Sequence, residues 1–355
     1  MYSYPLSFKI TPSEESPPLL SVIIPVYNGG HNFARCLATL HQSLSPGIEV
    51  IIVDDGSTDP SAEIAESYGF QVLRSARNRG PAHARNLGAK AAKGQILFFV
   101  DADVEIRATT LTDVMTTFQE QPTLAALIGS YDDCPAAANF LGQYKNLLHH
   151  YTHQTANEVA WTFWGACGAI RRSIFWSVGG FDERYRYASI EDIEFGYRLK
   201  KAGYAIQLVK TLQVKHLKRW ELGSLLKADI FYRAIPWTEL IWRDRTISND
   251  LNLDHKSRIS IIAVFLLLGS LMGLGVSDVF WLMVVMTALI LLGVNLSIYQ
   301  FFLQKRGLRF TLRVIPYHWL YFLYGGLSFA IGTIRYFWRQ WNLPKFGSIL
   351  AWSKS

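Results

Sequence analysis

The sequence predicts an α/β protein with a doubly wound, mainly parallel sheet, followed by a C-terminal α-helical membrane region. Three observations carry this. The first hundred residues alternate four times between a short apolar run and a helical pattern, the signature of parallel strands joined by right-handed crossovers. The run 96–100 (ILFFV) is apolar throughout, which suits a strand buried on both faces. Beyond residue 258 the chain turns into long apolar stretches of bilayer length.

The elements follow in order. Residues 20–27 (LSVIIPVY) form a strand that breaks at Pro25, and Asn28-Gly29-Gly30 turns the chain. Phe33, Leu37, Leu40 and Leu44 recur at helical spacing. Residues 49–53 are the second strand, ending in Asp54-Asp55-Gly56-Ser57-Thr58-Asp59, where Ser57, Thr58 and Asp59 are candidate helix caps. The next helix stops at Gly69, and 71–74 is the third strand. Pro81 opens an Ala-rich helix that Gly94 ends, and 96–100 is the fourth strand.

In such sheets ligands sit outside the carboxyl ends of the strands. Four polar clusters lie there: Tyr27-Asn28, Asp54-Asp55, Arg77 to Arg79, and Asp101 with Asp103. One such cluster alone would be turn chemistry; four on one rim suggest a site. Two carboxylates as close as Asp101 and Asp103 repel unless a cation lies between them or one is protonated. Hard oxygen donors of this kind suit Mg²⁺ or Mn²⁺. The first turn lacks G-x-G-x-x-G, which argues against a dinucleotide dehydrogenase.

The segments VIIPVYN, VIIVDDGSTD, NRGPAHARNLGAKAAKG and ILFFVDADV, in this order, resemble an inverting family 2 glycosyltransferase of the GT-A fold. The resemblance covers residues 20–237. It implies that Pro25, Tyr27 and Asn28 line a nucleotide pocket and that Asp54 bonds the base. Asp55 is assigned to an Asx-turn or cap. Arg77, Asn78, Gly80 and Arg85 would border the ribose and diphosphate. Asp101 and Asp103 would form the family's D-x-D, with Asp103 the nearer metal ligand.

After Asp103, residues 110–119 read as a helix, 125–130 as a strand and 139–153 as a helix. His149 and His150 diverge by about 100° on that helix, so no metal is expected there and the helix is assigned to a surface or to the membrane side. Residues 161–172 (WTFWGACGAIRR) match the family's acceptor-side segment at Gly165, Ala166 and Cys167; a buried strand packed through small residues is the alternative. Glu191-Asp192 opens a helix whose dipole favours acids. The resemblance makes Asp192 the catalytic base and puts Glu191 on the acceptor side. Residues 204–209 and 211–214 read as two strand segments, and His216 follows them at the position where relatives complete metal or diphosphate binding.

Composition fits this plan. The chain has 355 residues, half of them hydrophobic, 18% charged and a net charge of +7. The basic excess flanks the apolar segments, which marks the cytoplasmic face of a membrane and no nucleic-acid partner. Three cysteines without metal spacing fit a reducing compartment. Residues 1–19 lack the apolar core of a signal peptide and read as a loose tail. Residues 20–219 are then a GT-A catalytic domain, 220–258 amphipathic interfacial helices, 259–340 a transmembrane region and 341–355 a tail. The spans are 259–276, 279–303 and 314–334, the last weakened by Pro316 and Gly325-Gly326 and therefore either a tilted crossing or a re-entrant segment.

The expected function is metal-dependent inverting transfer from a nucleotide-sugar donor, a UDP-sugar first, to a hydroxyl on a lipid or lipid-linked acceptor. The catalytic domain of this multi-pass membrane protein would face the cytoplasm. The alternatives are a processive polysaccharide synthase or a non-catalytic membrane scaffold. The synthase usually carries Q-x-x-R-W; Leu217-Lys218-Arg219-Trp220 offers only the last two residues.

Overall fold

Alternate residues of the first strand explain why its sequence is apolar without a break. In the computed structural model, which describes residues 19–246 and 254–342, β1 (Leu20–Val26) buries Val22 and Ile24 in one core and Ile23 in another. Helix α1 (Gly30–Gln42) covers the first face with Phe33, Leu37 and Leu40. Helix α3 (Pro81–Ala91) covers the second with Ala82, Ala84 and Ala89. A strand with both faces covered has no position left for a polar alternation.

Between them lie β2 (Ile48–Asp54), α2 (Ser61–Ser67) and β3 (Gln71–Arg74), and β4 (Ile96–Val100) follows α3. Strands β3, β2, β1 and β4 pair in parallel in that spatial order. This is the predicted doubly wound half. The chain continues through β5 (Val104–Glu105), α4 (Thr110–Glu120), β6 (Ala126–Tyr131), α5 (Phe140–Thr155), β7 (Val159–Ala160), β8 (Cys167–Arg171), α6 (Arg172–Ser177), α7 (Glu191–Lys201) and β9 (Ile206–His216). The sheet extends past β4 as β8-β6-β9-β5, with β8 antiparallel to both neighbours and β6 parallel to β9.

Residues 204–209 and 211–214, expected as two segments, belong to the single strand β9. Its register with β6 runs from Ile128↔Leu208 to Ser130↔Gln213, so β6 advances two residues while β9 advances five. The excess is absorbed as a bulge. Gly129 allows it, since a Cβ there would meet the Leu212 carbonyl at 2.5 Å.

Helix α8 (Leu222–Lys227), a π-helix (Ala228–Ala234) and α9 (Ile235–Asp244) come next. They are not a separate surface layer. Trp237, Leu240 and Ile241 pack on Ile190 and Tyr197 of the α/β domain, and Trp220 and Leu225 pack on Tyr324. Much of their apolar surface is covered by protein, while Leu222 and Phe231 stay exposed.

The C-terminal helices are α10 (His255–Gly273), α11 (Val279–Val294), α12 (Leu296–Arg306) and α13 (Leu308–Asn342). The segment expected as one span over 279–303 bends by 64° between α11 and α12. Asn295 sits at the bend, its Nδ2 donating to Ser260 Oγ and to the Leu291 carbonyl. Helix α12 turns onto α5, where Phe302 and Tyr299 pack on Tyr144 and Leu147. Conversely, the segment over 314–334 does not break at Gly325-Gly326; it lies within one continuous 35-residue helix. Among the described residues one helix is long and apolar enough to cross a membrane, or two if α11 and α12 count as one bent span.

Candidate active site

The carboxyl ends of β1, β2 and β4 border a cavity of about 670 Å³. Asn28 has φ +51°, and its Oδ1 accepts from the Thr58 N–H at 2.7 Å, tying the turn after β1 to the loop after β2. Pro25, Tyr27, Asn28, Asn78, Gly80, Arg85 and Asp101, all expected at the nucleotide, line this cavity.

Asp54 and Arg77 do not. Asp54 closes β2 and its Oδ1 accepts from the Ser57 N–H at 2.9 Å, a local turn contact. Asp55, one residue on, faces the cavity; its Oδ2 accepts from the Arg79 and Gly80 N–H groups at 2.9 and 2.7 Å. Its buried Oδ1 has no partner among the described residues. The sequence reading gave the base to Asp54 and the turn to Asp55; in the structure Asp55 lines the cavity and Asp54 makes a turn contact. Successive side chains leave an extended backbone on opposite sides, so only one of an adjacent pair can face the cavity. Gly80, at φ +98°, is where the loop passes against the Arg186 backbone, which any Cβ would strike.

Arg85, on α3 and 4% exposed, joins the sheet to α7. Its Nη1 donates to Glu191 Oε1 and its Nη2 to Asp101 Oδ1, each at 2.8 Å. Burial alone would favour the neutral guanidine, but Asp101 and Glu191 outweigh it and hold Arg85 charged. Burial, together with the Asp103 charge, pushes Asp101 above the usual carboxylate range against the pull of Arg85. Asp103 goes the other way. Burial raises it, but His216, whose Nε2 lies 3.5 Å from Asp103 Oδ2, and Lys218 hold it below that range. The Nδ1 of His216 lies 2.7 Å from Asn146 Oδ1, an oxygen that can only accept. Nδ1 therefore carries a hydrogen toward Asn146, and Nε2 faces Asp103.

Asp192 stands in the first turn of α7 with Glu191 and Glu194. Its Oδ2 accepts from the Gly165 N–H at 3.1 Å and its Oδ1 from the Ile193 N–H at 2.8 Å. Burial and the neighbouring Glu191 push its pKa above the usual carboxylate range, against Arg85. Asp192 lines a second cavity of about 210 Å³, which shares Arg85, Asp101, Asp103, Ala188 and Lys218 with the first. The acidic pair after β4 is thus the partition between the two.

Of the expected acceptor-side residues, Ala166 and Glu191 line this second cavity. Gly165 contributes its N–H, and leaves room for the Arg85 guanidinium, which a Cβ would approach to 2.8 Å. Cys167 lies away, fully buried in β8 opposite Val100, with burial pushing its thiol up to about 12.

Helix α5 is not a surface helix. His150 and His153 are buried, and Lys145, Asn146, His149 and His153 all face the second cavity. The spacing 145, 149, 153 is a polar stripe at every fourth residue, which was present in the sequence. His149 shares its face with His153 and diverges from its neighbour His150. Trp164, Tyr232, Arg233 and Trp237 also line the cavity from segments whose sequence carries no such signal.

Among the described residues no three His, Cys, Asp or Glu side chains converge as a ready metal cage. Asp101 and Asp103 line both cavities and His216 the second. Two carboxylates and an imidazole nitrogen suit Mg²⁺ or Mn²⁺ that takes its remaining ligands from a diphosphate and water. The donor set fits such an ion.

Comparison with known proteins agrees with the architecture. Residues 21–179 match Glycosyl transferase family 2. An uncharacterized glycosyltransferase, YibD of Escherichia coli K12, is 44% identical over 101 residues, which is 27% of this chain and 29% of that protein. Validoxylamine A glucosyltransferase of Streptomyces hygroscopicus subsp. limoneus is 27% identical over 288 residues, 67% of this chain and 63% of that protein. This chain therefore spans less than two thirds of either relative. The crystal structure of GalNAc-T7 with UDP, GalNAc and Mn²⁺ superposes with a TM-score of 0.50 at 18% identity, over 70% of this chain and 51% of that one. The mixed, mostly parallel sheet is of GT-A type.

Proposed function

We propose that this family 2 glycosyltransferase domain transfers a sugar from a nucleotide-sugar donor, a UDP-sugar first, to an acceptor hydroxyl with inversion. The observation that carries the proposal is the pair of cavities meeting at Asp101 and Asp103, with Asp192 on the far side. The first cavity takes the nucleotide. The unpartnered Asp55 Oδ1 is placed to accept from a base N–H, and uracil offers one. Arg85 holds Asp101 and Glu191 in fixed places and supplies positive charge beside the partition.

A divalent ion held by Asp103, Asp101 and His216 would neutralise charge building on the departing diphosphate. His216, oriented through Asn146, presents Nε2 to that position. Asp192 accepts the proton of the attacking hydroxyl at a carboxylate oriented by the Gly165 and Ile193 N–H groups. Its raised pKa makes it a stronger base than an ordinary aspartate. One displacement inverts the anomeric carbon, and no protein nucleophile is required.

The acceptor we propose is a lipid or lipid-linked molecule at the cytoplasmic face of a membrane. Lys305 Nζ bonds Asp133 Oδ2 at 2.5 Å and Arg306 Nε bonds Gln143 Oε1 at 2.7 Å. The basic end of the α10–α12 hairpin thus returns to the α/β domain, in accord with the bias of positive charge to the cytoplasmic side. Incubating the purified chain with a panel of nucleotide sugars and measuring nucleotide release tests the proposal. Release from one or two UDP-sugars, stimulated by lipid extract, is expected. Release with none of them, with or without lipid, would rule out the enzymatic reading.

A further inference from the structure

The Asp192 cavity adjoins another on the side of the C-terminal helices. Arg233 and Trp237 line it, and the same two residues line a third cavity of about 410 Å³ between α9, α10 and α13. That cavity is walled by Ile261 and Phe265 of α10 and by Phe322, Gly325 and Phe329 of α13. Its walls are largely apolar, with Thr238, Ser257 and Arg258 on the lining besides the polar cluster around Asp229. In that cluster Asp229 accepts from Lys145 at 2.7 Å, from Tyr324 at 2.7 Å and from Arg233 at 3.2 Å. Lys145 and Asp229 are each 4% exposed at the side chain, whereas Arg233 is 31% exposed. Two cations share one carboxylate, so the junction keeps one positive charge, and Arg233 carries it to the surface. The wall at this point is a π-helix, a rare geometry that concentrates at functional sites.

We infer that the cavity between α9, α10 and α13 binds the hydrocarbon chain of an anionic-headed lipid acceptor, and that Arg233 meets its head group at the mouth of the Asp192 cavity. This rests on reading the Asp192 cavity as the acceptor side. The apolar walls would bury the chain, the residual charge would fix the head, and the shared residues would set the distance from head to base. A chain gripped by helices of bilayer character can slide in from the membrane without leaving an apolar phase.

The probe is hexadecyl phosphate bearing a diazirine near its chain end, with the matching hexadecanol as neutral control, applied to the full chain in detergent. Irradiation should label peptides around Phe265 and Phe329. Gly325 lines the cavity and a Cβ there meets nothing within 4 Å, so the backbone admits a side chain and Gly325→Leu adds bulk at the cavity wall. It should cut labelling about tenfold, the loss expected when roughly two methylenes are displaced from an apolar site. Gly293→Leu, on α11 and equally unobstructed, should change nothing. Arg233→Gln should lower labelling by the phosphate and leave the alcohol unaffected. Uniform labelling of all the apolar helices, unaltered by Gly325→Leu, would overturn the chain site. Equal labelling by phosphate and alcohol in both backgrounds would overturn the anionic head. UDP binding, read by thermal shift in the same samples, separates this from the glycosyltransferase reading: its loss in the unmodified chain would sink that reading and leave the lipid result standing.

Discussion

The Gly165 N–H donates to the Asp192 carboxylate at 3.1 Å, while the absent Gly165 side chain leaves room for the Arg85 guanidinium. One backbone position therefore orients Asp192 and admits the cation that holds Glu191 and Asp101. Asp192→Asn is nearly isosteric but cannot take a proton. It should lower transfer by about 10²–10⁴-fold, the usual contribution of a general base, and leave UDP affinity within a few fold. An equal loss in UDP affinity, measured by calorimetry, would make Asp192 a donor-site residue.

The raised pKa of Asp192 has a sign that can be checked. Its folded value lies above its unfolded one, so ionising it costs stability. The cost is absent below the ordinary carboxylate value of about 4 and complete once the pH exceeds the folded value. Asp192→Asn should therefore melt higher than the parent at pH 8 and converge with it at pH 4. The acid limb of the transfer rate should also inflect above an ordinary carboxylate's pKa.

Asp55 lines the cavity, and Asp54 makes a turn contact. Asp55→Ala removes the acceptor of two loop N–H groups and the unpartnered oxygen at the cavity, and UDP affinity should fall about tenfold or more. Asp54→Asn keeps an oxygen for the Ser57 N–H and should leave affinity unchanged. The reverse ranking in a titration would restore the base contact to Asp54.

If Asp103 and His216 hold a divalent ion, Mn²⁺ should raise the melting temperature of the UDP complex, and Asp103→Ala should abolish that increment along with turnover. Near-parental turnover of Asp103→Ala in EDTA would remove the metal from the scheme.

Lys145→Met leaves Asp229 buried with only Arg233 and Tyr324 as partners. Leaving a buried charge unpaired costs about 3–5 kcal/mol; with Arg233 still beside Asp229 the loss should fall below that, read here by urea unfolding. Adding Asp229→Asn should recover part of it, because the buried carboxylate is then neutral and the charge left over sits on Arg233, which is 31% exposed. A single variant with unchanged stability would show that the pair does not hold α5 to the π-helix.

The sequence by itself determined the sheet and its rim. Apolar runs of strand length, alternating with helical patterns, leave one economical arrangement, and polar residues at strand ends must then gather at one edge. Tyr27, Asn28, Asn78, Asp101 and Asp103 were legible for that reason, and Pro25, Gly80 and Arg85 through the family resemblance; all line the first cavity. Three matters were decided only by tertiary structure. Which of Asp54 and Asp55 faces the cavity depends on the register of a turn, and a shift of one residue reverses it. The polar stripe of α5 gained its meaning only when the helix was packed against β6 and β9, because a helix face has no target in the sequence. The apolar tail likewise carried length and hydropathy but no directions. The buried Asn295 contacts bend one segment at α11–α12, and packing against α9, α10 and α12 accompanies the other running unbroken through two glycines. Hydrophobicity says that a surface must be covered; only the neighbours that arrive in three dimensions say by what.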